Sequence, residues 1–126
     1  MNFDSQVEGV VLMCDLEGNI VEVLRDELGI VTQASLGQPL SLVVDRASLG
    51  KALTFLIELR TCGAAFDRQL NVPIAGQITP FHFAGVAQGD GLLIVGGRTS
   101  QAVRQMCEAL TPARNGQLDA LRVAMI

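Results

Sequence analysis

Near the start the chain reads VVLMC-DLEGN-IVEVL: two runs rich in β-branched and apolar residues on either side of a polar break. The pattern predicts a β-hairpin over 10–14 and 20–24, with Gly18-Asn19 able to supply the positive φ of a tight turn. From Asp26 to Gly37 the pattern is mixed and closes on Gly37-Gln38-Pro39, which predicts short helical turns, and PLSLVVD predicts one more, ended by Asp45. DRASLGKALTFLIELRTCG is the clearest helix signal. Asp45 or Ser48 can serve as N-cap and Gly63 as the left-handed residue after the last turn. Leu49, Leu53, Leu56 and Arg60 recur at helical spacing, and Ala52, Phe55 and Leu59 widen the apolar stripe. Gly50 loosens the first turn, at a cost of up to about 1 kcal/mol relative to Ala.

Three further strands follow: AFDRQLNV, which alternates strictly, then QITPFHFAGVA, then GLLIVGG. Pro80 lacks a ladder donor, so the middle strand is expected to start late or to carry a bulge. GLLIVGG and GVVLMC are apolar on both parities, which predicts that both faces of the sheet are covered. The last stretch turns helical again, with Val103, Met106, Cys107 and Leu110 on one stripe. Pro112 and Asn115-Gly116 interrupt it, and Leu118, Leu121 and Met125 open a second stripe that stops without a cap. The expectation is a piece of a longer protein.

Composition narrows the class. The 126 residues are 49% hydrophobic and 17% charged, enough for one domain with its own core and too few for two ordinary ones. A net charge of −4 and the lack of Trp and Tyr count against phosphate backbones, anionic membranes and stacked single strands as partners. The three cysteines, Cys14, Cys62 and Cys107, form no close pair of the kind metal sites use, and are expected as reduced thiols of a cytosolic protein. No secretory signal is visible, and the apolar runs fall far short of the roughly 20 residues a membrane span needs. A soluble, cytoplasmic chain is expected.

The order of strand, strand, short helices, long helix, three strands and exit helix resembles the PAS domain. The resemblance covers residues 8–99 and is carried by DLEGNIVEV, by the helix ASLGKALTFLIELRTCG and by the hairpin HFAGVAQGDGLLIVGG. It implies an α+β fold: a five-stranded antiparallel sheet with helices on one face and a C-terminal exit helix. Residues 1–99 would be the sensor domain. Residues 100–126 would be a helical linker toward an absent output domain, since NGQLDALR looks like the segment leading into the dimerisation helices of sensor histidine kinases. The resemblance further implies a sensory or relay module that dimerises, with no catalysis in this fragment. A partner subunit or a terminal helix must then cover the outer face of the sheet. We expect a homodimer whose outer faces and exit helices meet, with Leu93, Val95, Val103, Met106 and Leu110 at the contact or in the relay.

Cofactor chemistry finds little support. Heme-binding PAS domains resemble one another in a histidine on the long helix, whereas the only histidine here, His82, lies on a strand. Flavin-binding ones carry an N-C-R-F-L-Q-like word before the long helix, which is absent, and Cys62 sits at the helix C-terminus, where the dipole disfavours a thiolate. Gly85, Gly89 and Gly91 precede a strand rather than a helix and so form no dinucleotide loop. Asp15, Asp45, Asp67 and Asp90 fall at turns or on an alternating strand, and G-x-S-x-G is absent, so the sequence offers no catalytic constellation. The alternative function is a free-standing small-molecule binder or small α+β enzyme with a pocket between helix and sheet, for which Phe55, Leu59, Phe66 and His82 are the candidates. A roadblock-like interaction domain would open with a helix, and this chain opens with a hairpin.

Overall fold

The computed structural model describes residues 8–31 and 35–110, and the side chains of these as far as Glu108. Five antiparallel strands form one sheet: β1 (Gly9–Asp15), β2 (Ile20–Asp26), β3 (Ala64–Ile74), β4 (Gln77–Gln88) and β5 (Gly91–Gly97), in the spatial order β2-β1-β5-β4-β3. Short 3₁₀ turns at Leu40–Leu42 and Arg46–Ser48 lead into helix α1 (Leu49–Cys62), and helix α2 (Ser100–Leu110) follows β5. This is the expected α+β architecture of a five-stranded antiparallel sheet.

The β1–β2 turn is organised by Asp15. Its Oδ1 accepts from the backbone N–H of Glu17 at 3.0 Å and of Asn19 at 2.9 Å, and these bonds hold the carboxyl below its ordinary range. Gly18 has φ 92°, and a Cβ there would meet Leu56 Cδ1 at 2.6 Å. The turn is therefore pressed directly against α1.

Of the two cap candidates, Asp45 caps the 3₁₀ turn, accepting from Ala47 N at 3.1 Å. Ser48 instead accepts from the Asn71 N–H of β3 at 2.9 Å. Gly63, at φ 86°, closes α1. The buried face of α1 is Ala52, Phe55, Leu56 and Leu59, whereas Leu49 is 42% and Leu53 48% exposed. The Leu49/Leu53 part of the expected stripe thus points to solvent: the helix is rolled so that Phe55 and Leu59, which flank that line, meet the sheet.

Pro80 lies inside β4, opposite Asn71. The β4–β5 ladder begins only at His82, so at Pro80 the strand has β3 on one side alone and the missing donor costs nothing. The strict alternation expected of β3 is broken. The pairing shifts by one residue between Ala65 and Arg68, and Asp67 takes φ 52°, a bulge with its extra residue in the left-handed region.

Two apolar layers flank the sheet. On the inner face Val10, Leu12, Cys14, Leu92, Ile94, Phe81 and Phe83 pack under α1. On the outer face Val11, Ala84, Val86, Leu93 and Val95 form a second cluster with Val103, Met106 and Cys107 of α2. The two-sided burial expected from β1 and β5 is therefore met within one chain, and the packed unit continues past residue 99 onto α2. Leu93 and Val95, expected where two subunits meet, are both 0% exposed beneath this helix.

Candidate functional site: the start of the exit helix

The outer face is shaped for α2. Gly9 and Gly97 are register partners on β1 and β5. A Cβ on Gly9 would lie 2.4 Å from Met106 Cε, and one on Gly97 would lie 3.1 Å from it. Two side-chain-free positions thus make a notch that takes the end of Met106, itself 0% exposed, and let the helix backbone approach the strands. Thr99 caps α2, its Oγ1 accepting from Ala102 N at 3.0 Å.

At this capped end, side chains from three elements converge. Asp67 at the β3 bulge, His82 on β4 and Ser100 at the first position of α2 share hydrogen bonds. His82 Nδ1 is 2.8 Å from Asp67 Oδ1, Ser100 Oγ donates to the same oxygen at 2.7 Å, and Ser100 Oγ lies 3.3 Å from Nδ1. The bonds from Ser100 and His82 hold the Asp67 carboxyl below its ordinary range. A carboxylate beside the first turn of α2 also complements the helix dipole.

The residue types are those of a hydrolytic triad; the wiring is different. Serine and aspartate both lie at Nδ1, and the hydroxyl proton goes to the carboxylate, so no ring nitrogen is placed to withdraw it. The cluster joins three elements.

A second polar link lies on the other side of the bulge. Arg68 binds Glu58 of α1 through two nitrogens, at 2.8 and 2.6 Å, and donates to the Phe66 carbonyl at 2.7 Å. The guanidinium keeps the Glu58 carboxyl below its ordinary range. An open groove of about 590 Å³ runs alongside, lined in part by Lys51, Thr54, Glu58 and Arg68.

The four pocket candidates are not brought together. Phe55 and Leu59 are fully buried on the inner face, where Phe55 packs against Phe83 with ring centroids 6.3 Å apart. Phe66 packs against the outer cluster, and His82 projects from that same side beside Ser100. The sheet lies between the two pairs because neighbouring strand residues face opposite ways. Of the relay candidates, Leu93, Val95, Val103 and Met106 form one cluster, and the side chain of Leu110 lies outside the described residues. Asp67 and Ser100 were not legible as partners of His82. Carried on from Ala65↔Gly85, the pairing would set Asp67 opposite the inner-face Phe83. The one-residue shift before Arg68 turns it to the outer face, and the return of α2 brings Ser100 to it.

No family model matches the chain, and neither does any curated protein. Solved structures do. The PAS domain of the RpfR quorum-sensing receptor from Cronobacter turicensis, in complex with BDSF, superimposes with a TM-score of 0.61 at 17% identity, over 71% of this chain and 92% of that one. The fold is the PAS fold. A domain of an HTR-like protein from Haloarcula marismortui also aligns, with a TM-score of 0.44 at 17% identity, over 71% of this chain and 95% of that one. Among the described residues of this PAS fold, no helix is long and apolar enough to cross a membrane.

Proposed function

We propose that this PAS-fold chain is the sensory and relay module of a larger signal-transduction protein, and that this protein is a cytoplasmic histidine kinase whose catalytic part follows residue 126. The module itself does no chemistry. The observation that carries this reading is the seating of α2: the last described helix is notched into the outer face and tied at its start to β3 and β4. A change in the sheet alters that seat, and a helix leading out of the domain transmits the change as a shift between two packings. The PAS neighbour from Cronobacter turicensis, a receptor in complex with BDSF, supports a role in sensing.

The working unit is a homodimer. Leu93 and Val95 are already covered by α2 of their own chain, so the two copies associate through the sequence after α2, where Leu118, Leu121 and Met125 recur at helical spacing. Light scattering at micromolar protein is expected to give twice the mass of one chain, and removal of residues 111–126 to give a folded monomer. A monomer for the full chain would overturn the dimer.

The alternative, a free-standing small-molecule binder, is favoured by the open groove between α1 and β3. Native mass spectrometry after mild purification separates the two: a stoichiometric bound compound supports the binder, and a bare mass supports the packed relay.

A further inference from the structure

We propose that Asp67, His82 and Ser100 form a proton-operated clasp on α2: a charged imidazole holds the start of the helix against the sheet, and a neutral one lets it open more often. The inference rests on the relay reading above and names how that relay is regulated.

The hydrogen positions follow from counting. Ser100 has one hydroxyl proton, and Asp67 Oδ1, 2.7 Å away, can only accept it. The Ser100 oxygen then offers His82 nothing but lone pairs, as does Asp67. Nδ1 must therefore carry a hydrogen in both charge states of the ring. The neutral ring already uses that hydrogen in the clasp, and the second proton arrives at Nε2. Its arrival breaks no bond. It turns the 2.8 Å contact with the Asp67 carboxylate, already charge-assisted, into an ion pair with charge on both partners.

The surroundings favour a switch over a static bond. His82 keeps 27% of its side chain accessible and Asp67 keeps 59%, so protons exchange with solvent without opening the core. Asp67 is held at φ 52° by the bulge, a conformation that costs energy and persists where the surroundings fix it. Asp67 on β3 is bonded to the ring; the other charged groups on the neighbouring elements are Arg68 on β3 and Arg98, which follows Gly97, the register partner of His82 on β5. On α2 they are the positive end of the helix at Ser100 and Arg104 one turn further on. Arg68 is engaged by Glu58, which leaves Asp67 as the carboxylate bonded to the ring.

The test is hydrogen exchange by NMR on the full chain between about pH 8 and pH 5, the range in which an imidazole changes charge. After correction for intrinsic rates, protection of the Ala102 and Val103 amides, and of those of the next turn, is expected to rise two- to fivefold as the pH falls. His82→Gln and Asp67→Asn should each abolish that rise, and Ser100→Ala should weaken it. Protection in the wild type that does not change with pH would overturn the clasp, as would an unaltered rise in His82→Gln. Should a variant fail to fold, the His82 ring-proton titration in wild type and Ser100→Ala decides: an unchanged midpoint counts against the cluster. These readouts concern α2 alone. A failed clasp therefore leaves the relay reading standing, whereas an α2 that responds to pH without altering the activity of an attached kinase sinks the relay and keeps the clasp.

Discussion

Single residues set several of the constraints on this fold. Gly18 serves two at once: its φ of 92° suits a residue without a Cβ, and the space a Cβ would take is held by Leu56. Gly18→Ala is expected to cost about 1–3 kcal/mol, from left-handed strain together with crowding of α1. Urea denaturation checks it; a cost below a few tenths would mean that the turn relaxes away from the helix. The need for glycine in this turn was legible in the sequence, because a hairpin signal and a tight-turn dipeptide are local. The contact with Leu56 was not, since it depends on how α1 is rolled. Asp67 shows the same limit. An aspartate on an alternating strand reads as a solvated side chain until one extra residue redirects it toward His82.

At the scale of elements, the informative interaction is that of α2 with the outer face. Its stripe of Val103, Met106 and Cys107 was visible as an amphipathic pattern, and the apolar runs of β1 and β5 required some cover. The sequence supplied both surfaces without saying that they belong to each other. What joins them is geometric: the Gly9–Gly97 notch lies across two strands that are 88 positions apart at that register, as the pairing of residues 9 and 97 shows. Met106→Ala is expected to destabilise the protein by about 2–4 kcal/mol, since a fully buried side chain is lost from a close-fitting site. Amide exchange should show the loss concentrated at Leu93, Val95 and α2, with the Phe55–Phe83 layer under α1 still protected. Uniform loss across both layers would show that the two faces unfold as one unit.

For the whole molecule, the pH dependence of stability has a definite sign at each end. Asp15, Glu58 and Asp67 have native carboxyls held below the ordinary 3.8 or 4.5. Their contribution is complete above those values and is lost as pH falls through the depressed native ones. Burial pushes the thiols of Cys14 and Cys107 from 9.0 up to about 12. The native state therefore keeps protons that the unfolded chain releases above pH 9, and stability falls from there toward 12. Thermal melts should show these two slopes at the acid and alkaline ends. Replacing both cysteines with Ala should flatten the alkaline side, after allowance for the cavities created; an unchanged alkaline slope would locate the sensitivity elsewhere.

By itself the sequence determined the strands, the long helix, their order and the α+β class, because periodicity, caps and turn residues act over a few positions. Of the helical turns expected over 26–37, residues 32–34 lie outside the described residues and β2 takes up Asp26. The sequence also determined that β1 and β5 would be covered on both sides, since an apolar residue at every position leaves no wet face. Tertiary structure alone decided what supplies the outer cover, which side of α1 is buried, and that Phe66 and His82 lie across the sheet from Phe55 and Leu59. Those outcomes depend on helix roll, on one bulge and on a chain reversal after Gly97. Each is set by the sum of many weak contacts between distant segments, and no short window of residues contains it.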